Sequence, residues 1–141
     1  MSYQTYAGSK GRGRDRTFVK LRHDVIDSEN FQSLNLVALR LLLCLARQYN
    51  GKNNGDLCAA ETVLKKWGWS GSDSITRAKK ELLNKGWIVL SRQGGLGIGC
   101  SLYALTWFPI DDCKGKIDLL PTRKASDDWK KHELKNLPHL N

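Results

Sequence analysis

The sequence has no CxxC pair: Cys44, Cys58, Cys100 and Cys113 are far apart, and the three histidines, His23, His132 and His139, are scattered. Zinc frames need thiolates and imidazoles at close spacing, so no metal and no cofactor are expected. Cys44 falls in a leucine-rich stretch, where a free thiol acts as a small hydrophobe; reduced cysteines in a cytoplasmic protein are the better reading. Also missing is an apolar run of the ~18 residues needed to span a bilayer, which argues against a membrane partner. The opening MSYQTYAGSKGRGRDR carries no hydrophobic segment of the secretory kind. No serine–histidine–acid set and no paired carboxylates stand out, so the chain does not read as an enzyme. Acids are scarce too: 14 against 23 lysines and arginines, for a formal net charge of +9. A surface of that sign suits a polyanion, nucleic acid ahead of membrane, although a merely soluble basic protein has the same arithmetic.

What is present allows one core. With 141 residues, 40% of them hydrophobic, the chain supports one domain with loose ends. Residues 1–17 form a polar, glycine-bearing basic arm, with Lys10, Arg12, Arg14 and Arg16 against Asp15 alone. So little apolar surface cannot offset ordering entropy, and the arm is expected to be mobile. The domain is expected over 18–112. It opens with an extended Phe18-Val19-Lys20-Leu21 and a turn-rich break at Asp27-Ser28-Glu29-Asn30. A tail follows over 113–141, with room for one short helix around 126–137 that Trp129, Leu134 and Leu137 could dock; disorder there is an equal alternative.

Ser33 or Asn35 can cap the first long helix. Leu36, Leu39, Leu42, Leu43, Ala46 and Tyr49 give it a wide apolar sector, opposite Arg40, Arg47 and Gln48, as expected of a central helix. The Asn50–Gly55 run stops it. Asp56-Leu57-Cys58 is too short to stand alone as a strand but can pair with a later hairpin. Glu61 to Trp67 reads as a second helix with Val63, Leu64 and Trp67 facing in, closed by Gly68, and Trp69-Ser70-Gly71 turns into a third. Helix–turn–helix spacing results. In the third helix Ser72 is the expected N-cap and Gly86 the stop. Ile75, Ala78, Leu82 and Gly86 project to one side; Asp73, Arg77, Lys80 and Asn84 project to the other. Residues 87–91 and 100–107 read as strands joined by a glycine-rich tip, 93–99.

A helix that enters the major groove needs short side chains near its start and donors that reach base edges. Ser74, Arg77 and Lys80 meet those needs, and Asn84 shares their stripe; the plain alternative is the solvated face of an amphipathic helix. Arg92 gives the hairpin a basic shoulder. The tip lacks the Lys-Ser/Thr of a P-loop and the strand-to-helix setting of a dinucleotide loop. Its GxxG is shared with KH domains, where helices rather than strands flank the loop. A wing tip near phosphate or minor groove is the favoured reading, and an ordinary hairpin turn the alternative. Arg12, Arg14 and Arg16, interleaved with glycine, suit a minor groove or simple solubilisation. Trp67 and Trp69 read as core before base-stacking residues.

From Phe18 to about Trp129 the chain resembles the small winged helix-turn-helix DNA-binding proteins of bacterial prophages, plasmids and other mobile elements. The motifs that carry the resemblance are Phe18-Val19-Lys20-Leu21, Tyr49-Asn50-Gly51-Lys52-Asn53-Asn54-Gly55, Gly68-Trp69-Ser70, Ile75 to Leu82, Lys85-Gly86-Trp87-Ile88 and Tyr103-Ala104-Leu105-Thr106-Trp107. The Tyr-Asn-Gly-x-Asn-Asn-Gly run is the most specific; the helix-plus-wing pattern is common to many DNA binders. The resemblance implies an α+β winged helix: a three-helix helix-turn-helix core with a two- to three-stranded β-hairpin wing. It also implies double-stranded DNA binding in transcriptional regulation or replication initiation, with Ser72, Ser74, Thr76, Arg77 and Lys80 as recognition-helix positions. The extra glycines at the tip depart from the family's plain wing. A homodimer stays open. The competing expectation is a protein-interaction module that inhibits or recruits a host complex; single-stranded nucleic acid, for which only Tyr3 and Tyr6 offer stacking, ranks last.

Overall fold

Asn35 starts the longest helix. In the computed structural model, which describes residues 16–135, its side-chain oxygen accepts from the Val37 amide at 2.8 Å. This helix, α3 (Leu36–Gln48), follows two short ones, α1 (His23–Asp27) and α2 (Glu29–Gln32). The expected turn-rich break at 27–30 is therefore mostly helical, with the chain bending only at Ser28, whose hydroxyl accepts from the Phe31 amide. One residue with extended backbone is enough to end one helix and cap the next.

The buried face of α3 is Ala38, Leu41, Leu42, Cys44, Leu45 and Ala46, which corrects the expected sector. Leu36 is 78% exposed and Leu43 39%. Leucines cover more than half of the circumference of this helix at 100° per residue, so periodicity leaves its rotation open and the packing partner decides it. Gln48 also turns inward: its side-chain amide exchanges two hydrogen bonds with the Cys58 backbone.

Beyond α3 come β1 (Leu57–Cys58), α4 (Glu61–Leu64) continuing as a 3-10 turn to Trp67, and α5 (Asp73–Asn84). β2 (Ile88–Arg92), β3 (Leu102–Leu105) and, after a second 3-10 turn at Cys113–Gly115, α6 (Asp128–Lys135) complete the described elements. The three strands form one antiparallel sheet in the order β1-β3-β2, with Leu57 opposite Tyr103 and Ile88 opposite Leu105. β1 thus pairs with the later hairpin, as its sequence allowed. The architecture is mixed α+β, with six α-helices and this small sheet among the described residues. No described helix is long and apolar enough to cross a membrane.

Trp87, at the start of the hairpin, centres the core. Trp129 stacks on it at 5.3 Å, and Trp107 and Phe31 meet it edge-on at 6.0 and 5.9 Å. Such pairs add about 0.5–1.5 kcal/mol each beyond area burial. Asn30, 3% exposed, binds this cluster together. It accepts from the Trp87 indole and donates to the carbonyls of Lys85 and Trp129. The C-terminal segment is thereby part of the same packed body through Trp129.

Candidate functional site

α5 packs against α3 through Ile75, Ala78 and Leu82, all 3% exposed or less. At 100° per residue that choice fixes the rest of the helix. Asp73, Thr76, Arg77, Lys80 and Asn84 are exposed and Ser74 is half-buried. Arg77 and Lys80 form no hydrogen bond or ion pair with the described residues, so both cations face solvent with their charge uncompensated. Lys79, between them, lies with its ammonium 5.9 Å from the Tyr103 ring of β3, which holds that side chain toward the sheet. Further along, Glu81 and Lys85 pair at 3.1 Å, and Glu81 also accepts from the Asn35 amide. The acid of α5 nearest its C-terminal end is therefore engaged with α3.

Ser72 stands at the N-cap, as its position indicated, but its side chain makes no capping bond. Its backbone lies in the helical region (φ −94°, ψ −20°), which turns the hydroxyl from the free amides. The Gly71 amide is met instead by the Glu61 carboxylate of α4. The turn between the helices, 68–72, is braced from α3 as well: the Arg40 guanidinium donates to the Trp67 carbonyl at 2.7 Å and lies 4.9 Å from the Trp69 ring. Trp69 is 5% exposed and its indole N–H reaches Cys44 Sγ, so it is core; Trp67 is half-buried beneath Lys66.

The hairpin follows directly. Arg92 is half-buried and folded across it, one guanidinium N–H donating to the Cys100 carbonyl at 2.9 Å, while its Nε is buried and unpartnered among the described residues. This side chain braces the hairpin where the strands give way to the tip. A bulge between Leu90 and Arg92 shifts the register there. At the tip, Gly95 and Gly99 bridge, and Leu96 is fully exposed with Ile98 55% exposed. Those two apolar side chains on a glycine-framed tip were not singled out from sequence; alternation with glycine was the signal available.

Arg16 is exposed on the opposite sequence arm of the domain. It lines a cavity of about 640 Å³ with Phe18, Lys20, Arg47, Tyr49 and Phe108, and no lining residue comes from α5 or the hairpin tip. Arg12 and Arg14 lie outside the described residues. The structure therefore carries Ser72, Ser74, Thr76, Arg77, Lys80 and Asn84 on one helix and Arg92 on the hairpin that follows it, and gives Arg16 separate surroundings. Among the described residues no group of three or more His, Cys, Asp and Glu could hold a metal ion. What this arrangement offers is a helix with Arg77 and Lys80 on its solvent face and a hairpin at its end. No protein-family model, no characterised protein and no solved structure matches the chain.

Proposed function

We propose that the chain is a winged-helix protein that binds double-stranded DNA site-specifically, with α5 in the major groove and the β2–β3 hairpin as the wing. The observation that carries this reading is the pairing of Arg77 and Lys80, solvent-facing and without partners among the described residues, with a core-facing Ile75, Ala78 and Leu82 on the same helix. The order from α3 to β3, helix–strand–helix–helix–strand–strand, with sheet order β1-β3-β2, is compatible with that fold. The net charge of +9 supplies the long-range attraction to phosphate. Transcriptional regulation or replication initiation in a mobile element is the setting that the resemblance to mobile-element winged-helix proteins implies.

In this reading Arg77 reads a base edge, Ser74 and Thr76 let the helix approach the groove floor, and Lys80 and Asn84 follow along the stripe. Arg92 acts by holding the wing, and the arm with Arg12, Arg14 and Arg16 adds flanking phosphate contacts. The test begins with selection of duplexes from a random pool, followed by fluorescence anisotropy on a selected and a scrambled duplex. Arg77→Ala is expected to lower discrimination between them by about 1–3 kcal/mol. An equal loss on both duplexes would remove Arg77 from base reading.

A second reading has one observation of its own: the exposed Leu96 and Ile98 at the hairpin tip, apolar where a phosphate contact would favour cations. A protein-interaction module that inhibits or recruits a host complex would use such a tip. Salt-sensitive retardation of random duplex at low ionic strength is the discriminating result, since the interaction module predicts none.

A further inference from the structure

Two of the four free cysteines touch. Cys58 ends β1, and Cys100 lies two residues before Leu102, the β3 residue that pairs with Cys58. Their sulfurs are 2.7 Å apart. A disulfide bond measures ~2.05 Å, so closure needs a movement of less than about 1 Å. The surroundings hold both residues in place. The Ala60 amide donates to Cys58 Sγ at 3.4 Å, the Cys58 amide donates to Gln48, and the Cys100 carbonyl accepts from Arg92. Both residues are half-buried, within reach of a small oxidant. The other two are apart from them and otherwise engaged: Cys44 is buried under the Trp69 indole, and Cys113 donates to the Asn54 carbonyl.

We propose that Cys58 and Cys100 are an oxidation site, a dithiol that hydrogen peroxide converts to an intramolecular disulfide tying the tip-side end of the hairpin to β1. In the first step one sulfur attacks a peroxide oxygen; the O–O bond breaks, giving a sulfenic acid and water. In the second, the other sulfur displaces the hydroxyl of that sulfenic acid, the S–S bond forms and a second water leaves. Two thiols are oxidised and one peroxide is reduced to two waters. The closed loop contains α4, α5 and β2, so the modification constrains the segment that carries the cationic stripe. It stands independently of the DNA-binding reading. Burial, first, and the contact with Cys100 push the Cys58 thiol up to about 11, so the resting pair is held as thiol and oxidation is expected to accelerate as pH rises.

The experiment treats the full chain with hydrogen peroxide, blocks remaining thiols under denaturing conditions and maps peptides by mass spectrometry with and without reductant. The expected result is a fall from four titratable thiols to two, a single cross-link joining the Cys58 and Cys100 peptides within one chain, and recovery of all four thiols by dithiothreitol. The variant C44S/C113S should give the same cross-link, and the unsubstituted chain already decides the matter if that variant does not fold. A link from any other pair, a link between chains, or loss of thiols to sulfinic acid without any link would overturn the proposal.

Discussion

The side chain of Asn54 is wholly buried and joins the loop after α3 to the end of the sheet. Its amide oxygen accepts from the Leu105 N–H at 2.7 Å, and its nitrogen donates to the carbonyls of Leu105 and Pro109, each at 2.9 Å. Its backbone amide donates to the Asp111 carboxylate. Beside it, Asn53 accepts from the Asn50 amide and donates to the Gln48 carbonyl. The Asn-Gly run that is the most specific motif in the sequence is thus explained as a buried hydrogen-bond plug, with no need of a ligand. Asn54→Ala leaves the Leu105 N–H and at least one carbonyl buried without partners. Each orphaned group costs about 1–3 kcal/mol, so urea denaturation should show a loss of at least that size. A variant as stable as the parent would mean that the plug is not closed in solution.

At the scale of elements, α5 depends on what ends it. Gly86 has φ +80°, and a Cβ there would lie 2.7 Å from the Asp128 carbonyl oxygen. A side chain therefore meets both the left-handed penalty and the backbone of the first residues of α6. Gly86→Ala is expected to cost at least about 1–3 kcal/mol in denaturant titration, with near-ultraviolet circular dichroism reporting the loosening of the Trp87–Trp129 stack. The opposite face of α5 should behave differently. If Lys80 contacts phosphate, Lys80→Ala leaves stability unchanged, weakens binding to selected and scrambled duplexes alike and reduces the salt slope by about 1. An unchanged slope would place Lys80 off the DNA. The register of this helix was legible because its apolar residues are few: Ile75, Ala78 and Leu82 admit one orientation. α3 was not legible in the same way, because its surplus of leucines admits several.

For the whole molecule, several titrating groups are shifted in the same direction. Burial raises the thiols of Cys58 and Cys113 and the phenols of Tyr49 and Tyr103 above their ordinary values. A group whose pKa is higher in the folded state gives its full stabilisation below the unfolded value, and loses it as pH rises through the folded one. For Cys58 that window runs from 9.0 to about 11. Urea midpoints should therefore fall across this range, and Cys58→Ser should make the fall shallower; an identical profile would assign the loss to the other groups. The sequence by itself determined the places of α3, α4, α5 and the two hairpin strands, the pairing capacity of residues 57–58, the exposed stripe of Arg77, Lys80 and Asn84, and the glycine stops, because propensity, capping and a 3.6-residue period are local properties; it did not show α1 and α2. Only the tertiary structure decided which side of α3 is buried, that Asn30 and Asn54 are interior hydrogen-bonding centres, that Arg92 folds across the hairpin, that Trp129 stacks on Trp87, and that Cys58 meets Cys100. Those outcomes join residues as far as 99 positions apart, as Asn30 and Trp129 are, and no pattern confined to a few turns of chain contains the partner.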